Sequence, residues 1–228
     1  MKIKDGDIFI YGSDSFISKV IMEAQSLYWE LLGKRSLFSH TGFIFPSEKQ
    51  IVHSTIDIHF NPKNIFTFGK KPILQIESGI QVDPITVLKG KSKLAVIQLN
   101  LSDKERKKIK KIAYQMTKED HKYPIDELFG TLFAILFAWA FNDPRKALKK
   151  NILDNPTQYY CCAFVLEVLH RAGYDVWNCL DPSATTVDHL FYIEYESKIC
   201  EENIGKYTMM DIVKNIDFVS YDNLVRML

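Results

Sequence analysis

Apolar and polar positions along the 228-residue chain change period several times, and each change marks an element. "GDIFIYG", residues 6–12, is a short apolar run between glycine turns and predicts a strand. After it, Phe16, Ile17, Val20, Ile21 and Ala24 follow helical spacing. Ser13 and Asp14 can cap that helix, and Gly33 stops it. "FSHTGFIFP" (38–46) and "IVHSTIDIHF" (51–60) flank the polar turn "PSEKQ" and predict a hairpin. Ile51, His53, Thr55 and Asp57 then share one face of the second strand. "PILQIES" and "KLAVIQLN" predict two further strands, with "GIQVDPITVLKGKS" (79–92) as the connection between them.

The clearest helix begins at "LSDKERKKIKK". Ser102 with Glu105 three residues later matches a capping box. Ile109, Ile112, Ala113 and Met116 form one apolar stripe, so the lysines read as a solvated face rather than a nucleic-acid site. "QYYCCAFVLEVLHRAG" (158–173) predicts a second helix, starting near Tyr160 and ending at Gly173. Between these helices lies "LFGTLFAILFAWAF", Leu128–Phe141, apolar except for Gly130 and Thr131. Spanning a bilayer takes roughly 20 such residues, so this run is too short. It is either a buried helix or a hydrophobic flap, acyl-chain wall or interfacial helix that touches a membrane surface. The segments after Gly173 are shorter and the pattern does not place them. Strands and helices in mixed order, with a hairpin, predict an α+β fold: an antiparallel sheet packed against helices, in one domain over 1–228 with an apolar helical insertion around 124–156.

Composition narrows the function classes. The chain is 46% apolar and 25% charged, with a net charge of +1, so no global field points to nucleic acid. The N-terminus has too little apolar sequence after its lysines for a signal peptide. Four cysteines without a regular spacing suit a reducing compartment, so the expected location is cytoplasmic. No Cys/His pairs repeat at zinc spacing, and neither a metal nor an organic cofactor is expected.

Two of the four cysteines, Cys161 and Cys162, open one helix. A helix N-terminus favours a thiolate, because unpaired N–H groups and the helix dipole put positive potential there. The two side chains point roughly 100° apart, so only one faces a cleft. Free cysteines are also good core residues, and two packed thiols are the plain alternative. A nucleophilic cysteine needs a base oriented by a second polar group. His170 lies too far along the same helix to serve Cys161. His40 begins one hairpin strand and His53 sits on its partner, so the hairpin can bring them together.

These pieces resemble a known family. "YCCAFV" is similar to the nucleophile motif of the NlpC-like papain-fold hydrolases, Asp/Tyr-Cys-Ser-Gly/Glu-Phe/Leu-Val. Cys161 takes the nucleophile position, Cys162 replaces Ser, and Ala163 replaces Gly or Glu. "SHTGFIF" resembles the His-Val-Gly-Ile strand, which implies His40 as base. "IVHST" resembles the next strand and implies His53 as the residue that orients it. "KDGDIFI" resembles the Pro-Gly-Asp-Leu/Ile element. Here the histidines precede the cysteine, the order of the circularly permuted branch: YiiX-like proteins, their poxvirus relatives and the lecithin:retinol acyltransferase-like enzymes. The resemblance implies a permuted papain-like fold and a thiol hydrolase acting on an amide or ester. Its substrate would be a small molecule, a peptide or a lipid. It also implies Tyr123 in "HKYPIDELFG", and Cys162, as residues lining the oxyanion or substrate site. The other reading is a non-catalytic binding or membrane-surface scaffold module on the same fold.

Overall fold

The computed structural model describes residues 2–14, 16–60, 74–91, 93–119, 135–136, 139–143, 160–174, 176, 186–193 and 209–228. Six strands form one sheet: β1 (Asp7–Gly12), β2 (His40–Phe45), β3 (Gln50–Phe60), β4 (Leu74–Pro84), β5 (Lys93–Leu99) and β6 (Val213–Phe218). Their order is β4-β3-β2-β1-β5-β6, and every pair is antiparallel. The helices are α1 (Phe16–Glu30), α2 (Asp103–Met116), α3 (Cys161–Arg171), α4 (Val187–Phe191), α5 (Met209–Ile212) and α6 (Tyr221–Met227). The fold is α+β.

Alternation along the strands gives the sheet two apolar faces. Ile8 and Ile10 of β1, Phe43 and Phe45 of β2 and Ala95 and Ile97 of β5 face α2 and α3 in the larger core. Phe164 of α3 meets Phe43 edge-on at 5.9 Å between ring centroids. Phe9, Ile44, Ile51, Leu94 and Val96 face the other way, where Ile85, Leu88 and Leu224 cover them. A central sheet buried on both sides explains why these strands read as continuous apolar runs rather than strict alternations.

The hairpin between β2 and β3 forms as the sequence predicts, with a short 3₁₀ turn at Pro46–Glu48 and Lys49 left-handed at φ 54°. Ser102 and Glu105 make the capping box at the start of α2. Two findings differ from the sequence reading. First, β4 does not end at Ser78: it runs on to Pro84, paired with β3 along its length, through Gly79 at φ 130°. Cross-strand pairing overrides the local turn signals of "GIQVDP". Second, the basic run on α2 is not wholly solvated. Arg106 is buried and donates to Asp7 Oδ1 at 2.8 Å and to the carbonyls of Asp5, Leu99 and Leu101. Its planar fork satisfies several acceptors at once, which makes a buried guanidinium tolerable. Asp7 also accepts the Leu99 N–H at 3.0 Å, so the Gly-Asp element ties β1, β5 and α2 together.

Tyr123 and most of the 124–156 segment lie outside the described residues. Of the apolar run, Ile135 is buried in the larger core, whereas Leu136, Trp139 and Phe141 are exposed. Among the described residues no helix is long and apolar enough to cross a membrane.

Candidate active site

Tyr160 holds the N-cap position of α3 in extended conformation, and Cys161 is the first helical residue. That places its thiol where the unpaired amides of the first turn lie. Cys161 is 4% exposed, and Cys162, one step round the helix, is fully buried. Both are free thiols. The ladder between β2 and β3 has its last pair at Phe43 and Val52, although both strands continue past it. Just past that pair stand His40 and Thr41, and the His40 side chain and the Thr41 backbone both act to stabilise the Cys161 thiolate.

His40 and His53 are joined ring to ring. His40 Nε2 lies 2.6 Å from His53 Nδ1, with the two rings nearly perpendicular. His53 Nε2 lies 2.9 Å from Asp83 Oδ2. These partners assign the protons. A carboxylate only accepts, so His53 carries its proton on Nε2. Nδ1 of His53 is then a lone pair and accepts from the Nε2–H of His40. The remaining nitrogen of His40, Nδ1, is then left without a proton.

Glycine makes this ring contact possible. A Cβ at Gly42 would lie 2.6 Å from His53 Cβ, 2.6 Å from the Val52 carbonyl and 2.9 Å from the Phe9 ring. Gly42 stands on the same strand face as His40, two residues on, so its missing side chain is the space into which His53 leans. The segment before His40 is held from behind. Asp188, fully buried on α4, accepts from Ser36 Oγ and from the backbone N–H of Leu37 (2.9 Å) and Phe38 (3.3 Å). Ser39 binds Ser18 through its hydroxyl and donates its N–H to the Tyr11 carbonyl at 3.0 Å.

The electrostatics follow from these contacts. The Cys161 pKa is lowered well below its ordinary value by a hydrogen bond from the Cys162 thiol, by His40 and by the Thr41 backbone, against the cost of burial. Cys162 is pushed the opposite way by burial and by the negative charge of its neighbour. Burial lowers the pKa of His53, against the hydrogen bond to Asp83, and so favours the neutral ring that the proton assignment requires. The His53 hydrogen bond in turn holds the Asp83 carboxyl below its ordinary range.

The structure thus brings Cys161, His40 and His53 to one place, with Cys162 beside them as a buried thiol rather than a cleft-facing one. Asp83 was missed in the sequence, because "GIQVDPITVLKGKS" reads as a connection and hides a strand residue. Only the β3–β4 register reveals it: Asp83 stands opposite Ile51 on the face that carries His53. Among the described residues no three His, Cys, Asp or Glu side chains are arranged to hold a metal ion. No family model matches the chain, and no curated protein matches it.

Proposed function

We propose that the chain is a cysteine hydrolase of circularly permuted papain-like fold, acting on an amide or ester through Cys161, His40 and His53. The observation that carries this reading is the chain of contacts from His40 through His53 to the Asp83 carboxylate, beside a helix-start thiol whose pKa His40 lowers. His40 Nδ1 takes the Cys161 proton, and the thiolate attacks the substrate carbonyl carbon. A C–S bond forms, and the oxyanion collects at the N-terminus of α3, where the Cys161 backbone N–H can donate to it. His40 then gives its proton to the leaving amine or alcohol as that bond breaks, leaving a thioester. Water, deprotonated by His40, attacks the thioester; the products are a carboxylic acid and the free thiol. His53 holds the reactive tautomer of His40 and accepts a stronger hydrogen bond while His40 is positively charged. Neither step needs a metal or organic cofactor. The exposed Leu136, Trp139 and Phe141 support an apolar substrate such as a lipid, or contact with a membrane surface through the Leu128–Phe141 run.

The 4% exposure of Cys161 favours a second reading, a binding module with two packed thiols. Alkylation by iodoacetamide, followed by mass spectrometry of each cysteine, decides between them. For a hydrolase, Cys161 labels fast at and below neutral pH, and His40→Ala moves its rate–pH profile upward. Hydrolysis of amide and acyl-ester substrates is lost in Cys161→Ala and largely kept in Cys162→Ala. Labelling of Cys161 only after denaturation would sink the hydrolase and leave the binding module.

A further inference from the structure

One cation stands beside the proposed site with no role in the chemistry above. In "LKGK", residues 88–91, the Leu88 carbonyl accepts the Lys91 N–H at 3.3 Å. Lys89 has φ −63° and ψ 132°, and Gly90 has φ 79°. These are the dihedrals of a type II turn, whose third position needs positive φ and hence glycine. The turn delivers Lys91 onto β1, where its Nζ sits 4.6 Å from the centroid of the Tyr11 ring. Tyr11 lies 5.0 Å, ring to ring, from His40. The ammonium is therefore one aromatic ring away from the proposed base.

The charges around it are unbalanced. Among the described residues, Lys91 pairs with no carboxylate. Two carboxylates of the site are engaged elsewhere: Asp83 holds His53, and Asp188 holds the 36–38 segment. Lys93 opens β5 opposite Gly12 but turns to the other face of the sheet, where its charge acts on Asp188. Lys110, by contrast, has both Asp5 and Glu48 within salt-bridge distance. A cation stacked on an aromatic face is held in place and partly desolvated, so it offers an oriented charge to a ligand.

We propose that Lys91 is a specificity determinant: it receives an anionic group, carboxylate or phosphate, that the substrate carries near the scissile carbonyl. This rests on the reading of Cys161 as nucleophile and His40 as its base. The test compares alkylation of Cys161 by iodoacetate, an anion, with alkylation by iodoacetamide, its neutral analogue of similar size. In Lys91→Gln the ratio of the two rates falls about threefold, the effect of one partly exposed charge. Lys91→Arg restores the ratio, raised salt lowers it in the unaltered protein, and Lys107→Gln, on the exposed face of α2, does not change it. Protection of Cys161 by glutarate but not by glycerol phosphate identifies a carboxylate substrate, and the reverse identifies a lipid-headgroup phosphate. An unchanged ratio in Lys91→Gln, with Cys161 still reactive, overturns the role of Lys91. A Cys161 inert to both reagents overturns the hydrolase reading itself.

Discussion

His53 is 5% exposed and uses both ring nitrogens, one on His40 and one on Asp83. Asp83 acts through it: as long as the carboxylate accepts from Nε2, the lone pair of His53 must face His40. Asp83→Ala removes that bias and leaves a buried N–H unpaired. The expected loss is about tenfold in the alkylation rate of Cys161 at neutral pH, smaller than the loss in His40→Ala, because the base itself remains. The rate–pH profile should also move upward. Reduced thermal stability with an unchanged profile would make Asp83 a structural residue only. Cys161, His40 and His53 were visible in the sequence because each stands in a short motif with apolar neighbours of the right period. Asp83 was not, because a carboxylate between Val and Pro carries no local sign of what faces it.

At the scale of elements, the β2–β3 hairpin is the device that joins the two histidines. Its turn and apolar pattern were legible, since a polar "PSEKQ" between two apolar runs admits few other structures. What decides the ring contact is the register, which sets Gly42 beside His53. Gly42→Ala would push a methyl against the Val52 carbonyl and the His53 Cβ, and neither is the free end of a flexible side chain. The expected cost is about 3 kcal/mol, read as a lower midpoint in urea, with a displaced His53 and slower Cys161 alkylation. A variant of ordinary stability and reactivity would show that the strands separate further here without loss. The start of α3 was equally legible from the onset of its apolar run. The extension of β4 was not, because its pairing with β3 outweighs the local preferences of Gly79 and Pro84.

Across the whole molecule, two adjacent buried groups on α4 oppose each other in their response to pH. Burial raises the Asp188 carboxyl from its ordinary 3.8 to about 7. The folded chain keeps a proton there that the unfolded chain releases, so this stability is full below about pH 4 and lost as pH rises through 7. Burial lowers the His189 imidazole from its ordinary 6.5 to about 3, and its Nδ1 accepts from the Thr186 N–H at 2.9 Å. There the unfolded chain takes a proton that the folded chain refuses, so this stability is full above 6.5 and lost as pH falls towards 3. Between pH 4 and 6.5 the two slopes oppose. Asp188→Asn should leave a stability that rises with pH across this window, and His189→Gln one that falls relative to the unaltered chain. Urea unfolding at a series of pH values reads both. Two variants with the same slope would remove the account. Asp188 accepts the N–H of Phe38, about 150 residues away along the chain, and nothing in its own neighbourhood announces that partner.

By itself, the sequence determined the elements and the chemistry at their ends: the strand runs, the capped α2, the thiol at the start of α3 and the two histidines of one hairpin. These are local properties, set by side-chain period, capping and turn residues within a few positions of each other. Only the tertiary structure decided which groups face those residues: Asp83 behind His53, Asp188 on the 36–38 segment, Arg106 under Asp7 and Lys91 over Tyr11. Each of those contacts joins segments far apart in the chain. They form because register and the packing of two faces of one sheet bring the segments together, and a single residue of slip would turn each strand side chain to the other face.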